Sequence, residues 1–144
     1  MSALRRRTTA EPGWPEFLAD RARTARDPRL ARFLAAGTAD PATPIRDVPL
    51  VAVDMETTGL DPARHGIVSI GLVPFTLEAI PLAARRYWVV RPHQPLTGES
   101  VAFHHITHSA IERAPDLDEV LDDVLAVLAG RVAVVHYRAI EREF

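Results

Sequence analysis

The sequence predicts an α/β fold, a mixed sheet with helices flanking it. Three observations carry this. Four short runs, at residues 50–53, 67–74, 85–90 and 132–135, have the length and the Val/Ile-rich composition of strands. One apolar stripe at helical spacing, over residues 116–129, separates the third run from the fourth. Pro92 and Gly130 mark breaks between these segments.

Taken in order, residues 14–36 read as helix, with Trp14, Phe17, Leu18, Leu30, Phe33 and Leu34 as apolar positions. Pro28 divides the segment, because proline lacks the N–H and clashes with the preceding turn. Gly37 is the expected stop. Residues 37–44, rich in Pro, Thr and Gly, read as a linker. Trp14 and Phe17 are expected in the core. The expected organisation is a helical extension and linker over residues 1–47 and a second unit over residues 48–144.

The run at 50–53 is continuous and apolar, the pattern of a strand buried on both faces. The turn-rich sequence before 67–74 predicts a hairpin-like connection. Pro92 ends the third strand. In the helix at 116–129, Leu117, Val120, Leu121, Val124, Leu125 and Leu128 form one face and Asp118, Glu119, Asp122 and Asp123 the other; Gly130 ends it. The strand at 132–135 is expected to be buried and parallel to a neighbour, with the preceding helix as the crossover. A further helix is expected from Tyr137.

Composition narrows the function classes. With no cysteine among 144 residues, disulfides and cysteine-based zinc sites are excluded, and a cytoplasmic location is the expectation. No apolar run approaches the length of a membrane span. The start at Met1 carries Arg5, Arg6 and Arg7 with no apolar segment after them, which argues against a secretory leader. Charge is uneven: residues 1–47 hold 9 Arg against 6 acids, and residues 48–144 hold 8 Arg against 13 acids. An acidic site for divalent metals produces such a balance, and so does a solvated helix face.

The chemistry concentrates in residues 51–62. Asp54 and Glu56 are two apart at the end of a strand, so both carboxylates point the same way, roughly 7 Å apart. Carboxylate oxygens are the preferred ligands of Mg²⁺ and Mn²⁺. Several of them on a rigid support can hold two ions that clamp an in-line displacement at phosphorus.

The run Asp54-x-Glu56-Thr57-Thr58-Gly59-Leu60 after a strand resembles the first motif of the DEDDh 3'-5' exonucleases, the family of the polymerase III proofreading subunit and ribonuclease T. The I-x-x-I-G pattern of Ile67 to Gly71 is similar to that family's second strand. His104-His105-Ile106-Thr107 resembles its H-G-I-T segment. Val135-His136-Tyr137-Arg138-Ala139-Ile140-Glu141 resembles the motif H-N-x-x-F-D, with Tyr137 for Asn, Ile140 for Phe and Glu141 for the metal-binding Asp. The resemblance covers roughly residues 49–144.

It implies a ribonuclease-H-like sheet and metal-dependent removal of nucleotides from a single-stranded 3' end, of DNA or RNA. It implies Asp54, Glu56 and Glu141 as catalytic metal ligands for two Mg²⁺ or Mn²⁺ ions, and Thr57 and His104 as substrate contacts. A polymerase partner is compatible with it. Glu for Asp at 141 keeps the charge and lengthens the arm by one methylene, which octahedral Mg²⁺ tolerates poorly. The third motif, a His followed five residues later by an Asp, falls beyond Phe144. The expectation is therefore a domain truncated after the fourth strand, a fragment with weak or no activity. The alternative is a non-catalytic module on the same fold that binds nucleic acid or protein.

Overall fold

The computed structural model describes residues 13–94 and 106–144. His104, His105 and Arg5 to Arg7 lie outside the described residues. Two helices come first among the described residues, α1 (Trp14–Thr24) and α2 (Pro28–Ala35). Strands β1 (Leu50–Thr57), β2 (Ile67–Phe75) and β3 (Arg86–Val89) follow. Helix α3 (His108–Glu112), helix α4 (Leu117–Leu128), strand β4 (Val132–Val134) and helix α5 (Arg138–Glu143) complete the order. The fold is α/β, with a mixed four-stranded sheet in the order β3-β2-β1-β4. β1 and β2 pair antiparallel, as do β2 and β3, while β4 joins β1 in parallel after the α4 crossover.

Side chains opposite one another in paired strands share a face. Val53 faces Leu72 and Met55 faces Ile70, so Val51, Val53 and Met55 lie on one side of β1 with Ile70 and Leu72 of β2. That side holds the core: Val51, Ile70, Leu72 and Val90 pack with Val120 and Val124 of α4. α4 presents its apolar stripe here because its acids all project outward. Its first turn is closed by the Asp116 N–H donating to Glu119 Oε1 at 2.8 Å, a capping box. Gly130, at φ +70, ends it in the left-handed region that glycine adopts without strain. A smaller cluster of Val68, Ile106 and Ile111 continues the core toward α3.

The opposite side of β1 carries Asp54 and Glu56, facing Gly71 and Ser69. The alternation of faces thus gives β1 one buried edge-to-edge apolar row and one row that ends in carboxylates. This corrects the expectation of a strand buried on both faces: Leu50 and Val51 are buried, but Ala52 and Val53 are half-buried and Asp54 is exposed. The expectation that the fourth strand is buried is also corrected. All three residues of β4 are exposed, with Val132 at 39% and Val134 at 43%. β4 pairs only with β1 and lies at the sheet's rim, and α4 covers β1 and β2 instead.

Pro28 does divide the N-terminal helices. It stands at the first position of α2, where its missing N–H costs nothing, after Asp27 as N-cap. Trp14 and Phe17, expected in the core, are 67% and 39% exposed. They pack edge to face with each other at 5.6 Å, and Arg21 lies over the Phe17 ring. The reason is that α1 buries none of its residues; among the described elements it packs chiefly on α2. α2 in turn is tied to α4 through charge, Arg29 to Asp118 at 2.8 Å and Arg32 to Asp122 at 2.7 Å.

The Asp27 carboxyl is pulled down to about 2, first by the Arg29 side-chain hydrogen bond and then by the Arg29 backbone N–H. A depressed carboxyl stabilises the fold above its unfolded pKa, and that contribution is lost as pH falls through the folded value. An Asp27→Asn chain keeps an N-cap oxygen for the Arg29 N–H and loses the charge and one of the two oxygens that the Arg29 side chain grips. It is therefore expected to melt below the parent at neutral pH, and the difference should shrink between about pH 4 and about pH 2. Melting temperatures of the two chains across that range check this.

Candidate metal and nuclease site

The sheet's register builds the site. Leu50, Val51 and Ala52 pair in parallel with Val132, Ala133 and Val134. Extending that register by two residues brings His136 beside Asp54, on the side away from the core. The chain then turns and α5 comes back across β1, which carries Glu141 to the same place. His136 Nδ1 lies 3.8 Å from Asp54 Oδ1 and 3.8 Å from Glu141 Oε1. One ligating atom from each of the three lies within 4.8 Å of the other two.

Their environments differ. The Asp54 and His136 side chains are open to solvent, whereas that of Glu141 is only 5% exposed. Among the described residues, Glu141 Oε2 is the one buried side-chain oxygen without a hydrogen-bond partner. A buried acceptor left unpaired costs about 1–3 kcal/mol, and more when charged, so such atoms call for an explanation. Two carboxylates and an imidazole, one carboxylate buried with an oxygen that meets no partner, form a donor set that fits a divalent cation.

The other expected residues are placed as follows. Glu56 lies two residues beyond Asp54 on the same side of β1, half-buried, and does not join the close group of three. A bulge between Glu56 and Thr57 ends the regular pairing there. Thr57 Oγ1 donates to the Gly59 carbonyl at 2.7 Å, so this hydroxyl closes the turn. Thr58 is buried; its hydroxyl accepts from the Gly66 N–H and meets His65 Nδ1 at 3.3 Å. The His65 ring lies against Gly59, where an added Cβ would come within 2.6 Å of it. These bonds fix the loop that leaves the carboxylate end of β1. A cavity of about 250 Å³ opens beside it, between His65, Ile67, His93, Gln94 and Phe144. No helix of the described residues is long and apolar enough to cross a membrane.

His136 is the member of the group that sequence reasoning did not assign to metal. Its signal was present: it follows directly on the apolar run at 132–135, as Asp54 follows directly on the run at 50–53. Only the register aligns the two.

Comparison with known proteins bears on the family and the fold. The chain is 29% identical over 90 residues to the PolC-type DNA polymerase III of Thermotoga maritima, covering 62% of this chain and 6% of that protein. It is 28% identical over 101 residues to the PolC-type enzyme of Halalkalibacterium halodurans, covering 70% of this chain and 7% of that protein. The chain thus spans a small part of the length of these relatives. Among solved structures, it resembles exonuclease X in complex with 5' overhanging duplex DNA, with a TM-score of 0.56 and 26% identity over 65% of this chain and 52% of that one. The nuclease domain of 3'hExo, a DEDDh member bound to rAMP, superposes with a TM-score of 0.58 at 18% identity, over 74% of this chain and 58% of that one, a likeness of fold. The profile of the RNase T exonuclease family matches residues 51–140, from the start of β1 to α5. By that match, and by the ribonuclease-H-like sheet it shares with the solved nucleases, this chain belongs to the RNase T exonuclease family of DEDDh type.

Proposed function

We propose that the chain carries the metal-binding part of a 3'-5' exonuclease that hydrolyses nucleic-acid 3' ends, with residues 48–144 forming the nuclease unit and residues 1–47 a helical extension to it. The observation that carries this reading is the grouping of Asp54, His136 and the buried Glu141, one ligating atom of each within 4.8 Å of the other two. Asp54 and Glu141 would hold a divalent metal, and Glu56, on the same strand face as Asp54, would be the further carboxylate toward a second ion. Divalent ions in such a site activate water and offset the charge on the leaving oxygen of a phosphodiester.

The residues around the carboxylates serve substrate binding. The loop locked by Thr57, Thr58 and His65 leaves the strand end that carries the carboxylates and would border a bound 3' end. Thr57 and His104 are the proposed nucleotide contacts. DNA and RNA 3' ends share the phosphodiester and differ at the 2'-hydroxyl, so both are tested.

The test is release of nucleoside monophosphate from 3'-labelled single-stranded DNA and RNA by the purified chain in Mn²⁺, against an EDTA control. Slow release, confined to free 3' ends and abolished by EDTA, is the expected result. Binding of the oligonucleotides with no release would favour the non-catalytic reading, and neither binding nor release would sink the proposal.

A further inference from the structure

The geometry points to His136 as a direct metal ligand, making this an imidazole–dicarboxylate site that prefers Zn²⁺, Co²⁺ and Mn²⁺ to Mg²⁺. This rests on the proposed carboxylate site and adds to it a nitrogen donor and a metal preference.

The distances argue for a cation between the groups rather than for a hydrogen-bonded histidine. At 3.8 Å from each carboxylate, His136 Nδ1 is beyond hydrogen-bond length to both. Donors held about 2.0–2.2 Å from one ion stand roughly 3 to 4.4 Å apart, depending on coordination geometry. Both separations fall in that range. The widest spacing in the group, within 4.8 Å, needs a movement of a few tenths of an ångström. Asp54 and His136, both largely exposed, are free to make it. Glu141 is not: its side chain is enclosed, and its second oxygen meets no other partner. A rigid buried carboxylate with two adjustable exposed donors is an arrangement that closes on an ion.

The donor types set the preference. Mg²⁺ favours oxygen ligands and retains its waters, whereas imidazole suits Zn²⁺ and the transition ions, with affinity rising from Mn²⁺ through Co²⁺. The lengthened arm at Glu141 works in the same direction, because Mg²⁺ demands near-ideal octahedral placement and Zn²⁺ and Mn²⁺ are more forgiving.

The test is calorimetric titration of the full chain with Mg²⁺, Mn²⁺, Co²⁺ and Zn²⁺, with the Co²⁺ visible spectrum as a second readout. His136→Ala and His136→Asn are compared with the parent. His136 is exposed, so neither change removes packing, and circular dichroism checks the fold. Loss of a group that merely orients a ligand costs about 10–100-fold in metal affinity, so loss of a ligand should cost at least tenfold. The expected result is at least that loss for Zn²⁺ and Co²⁺, a smaller one for Mg²⁺, and a changed Co²⁺ spectrum. If both variants bind all four ions like the parent while Asp54→Asn binds none, the inference is overturned and the carboxylate site stands. If the parent binds none of the four, both readings fall.

Discussion

Replacing Glu141 by leucine is expected to stabilise the metal-free chain and to erase its response to metal in the same step. The two effects share one cause. The carboxylate is enclosed and one of its oxygens has no partner, so the folded state bears its desolvation without a compensating bond. Leucine has similar helix propensity, so α5 itself is unaffected. Removing the unpaired group should return about 1–3 kcal/mol. At about 2–8 °C per kcal/mol for domains of this size, that is a rise readable in a thermal melt.

The parent should behave in the opposite way when metal is added. An ion present at about 100 times its dissociation constant stabilises the native state by about 2.7 kcal/mol. Parent and variant should therefore exchange rank as Mn²⁺ or Zn²⁺ is titrated in: Glu141→Leu the more stable without metal, the parent the more stable or level with it. A variant that melts lower without metal, or that still shifts with metal, would show that Glu141 does not centre the site.

The second large effect lies in the core. Leu72→Ala is expected to cost about 2–5 kcal/mol, since a fully buried leucine loses both its transfer free energy and the contacts around the resulting cavity. Leu72 is wholly inaccessible and packs with Val51, Ile70, Val90, Val120 and Val124. Against a total stability of roughly 5–15 kcal/mol for a domain, this is a large fraction. The site should feel it, because Leu72 is paired with Val53, the residue before Asp54. Urea unfolding of Leu72→Ala beside Val134→Ala makes the comparison. Val134, at 43% exposure on β4, should change stability by no more than about 0.5 kcal/mol. Equal losses at the two positions would contradict the placement of the core on the α4 side.

That contrast also marks where sequence and structure part. The sequence alone determined the elements whose cause is local. The stripe from Leu117 to Leu128 made α4 a one-sided helix, Gly130 stopped it, and Pro28 split the first helical segment. The apolar run before Asp54, with the acids two apart, placed two carboxylates on one side of a strand end. The motif around Thr57 to Leu60 carried the family, and with it the sheet.

Tertiary structure decided what depends on partners. Val132 and Val134 read as core by composition and lie exposed, because a strand's burial is set by what covers it and α4 covers β1 and β2. Trp14 and Phe17 read as core for the same reason and are exposed, because among the described elements α1 packs chiefly on α2, away from the sheet's core. Asp54 and Glu56 look equivalent in sequence, yet Asp54 joins the close group with His136 and Glu141 and Glu56 does not. His136 comes beside Asp54 through the parallel register of β4 with β1, a relation between residues about eighty apart that local pattern does not encode.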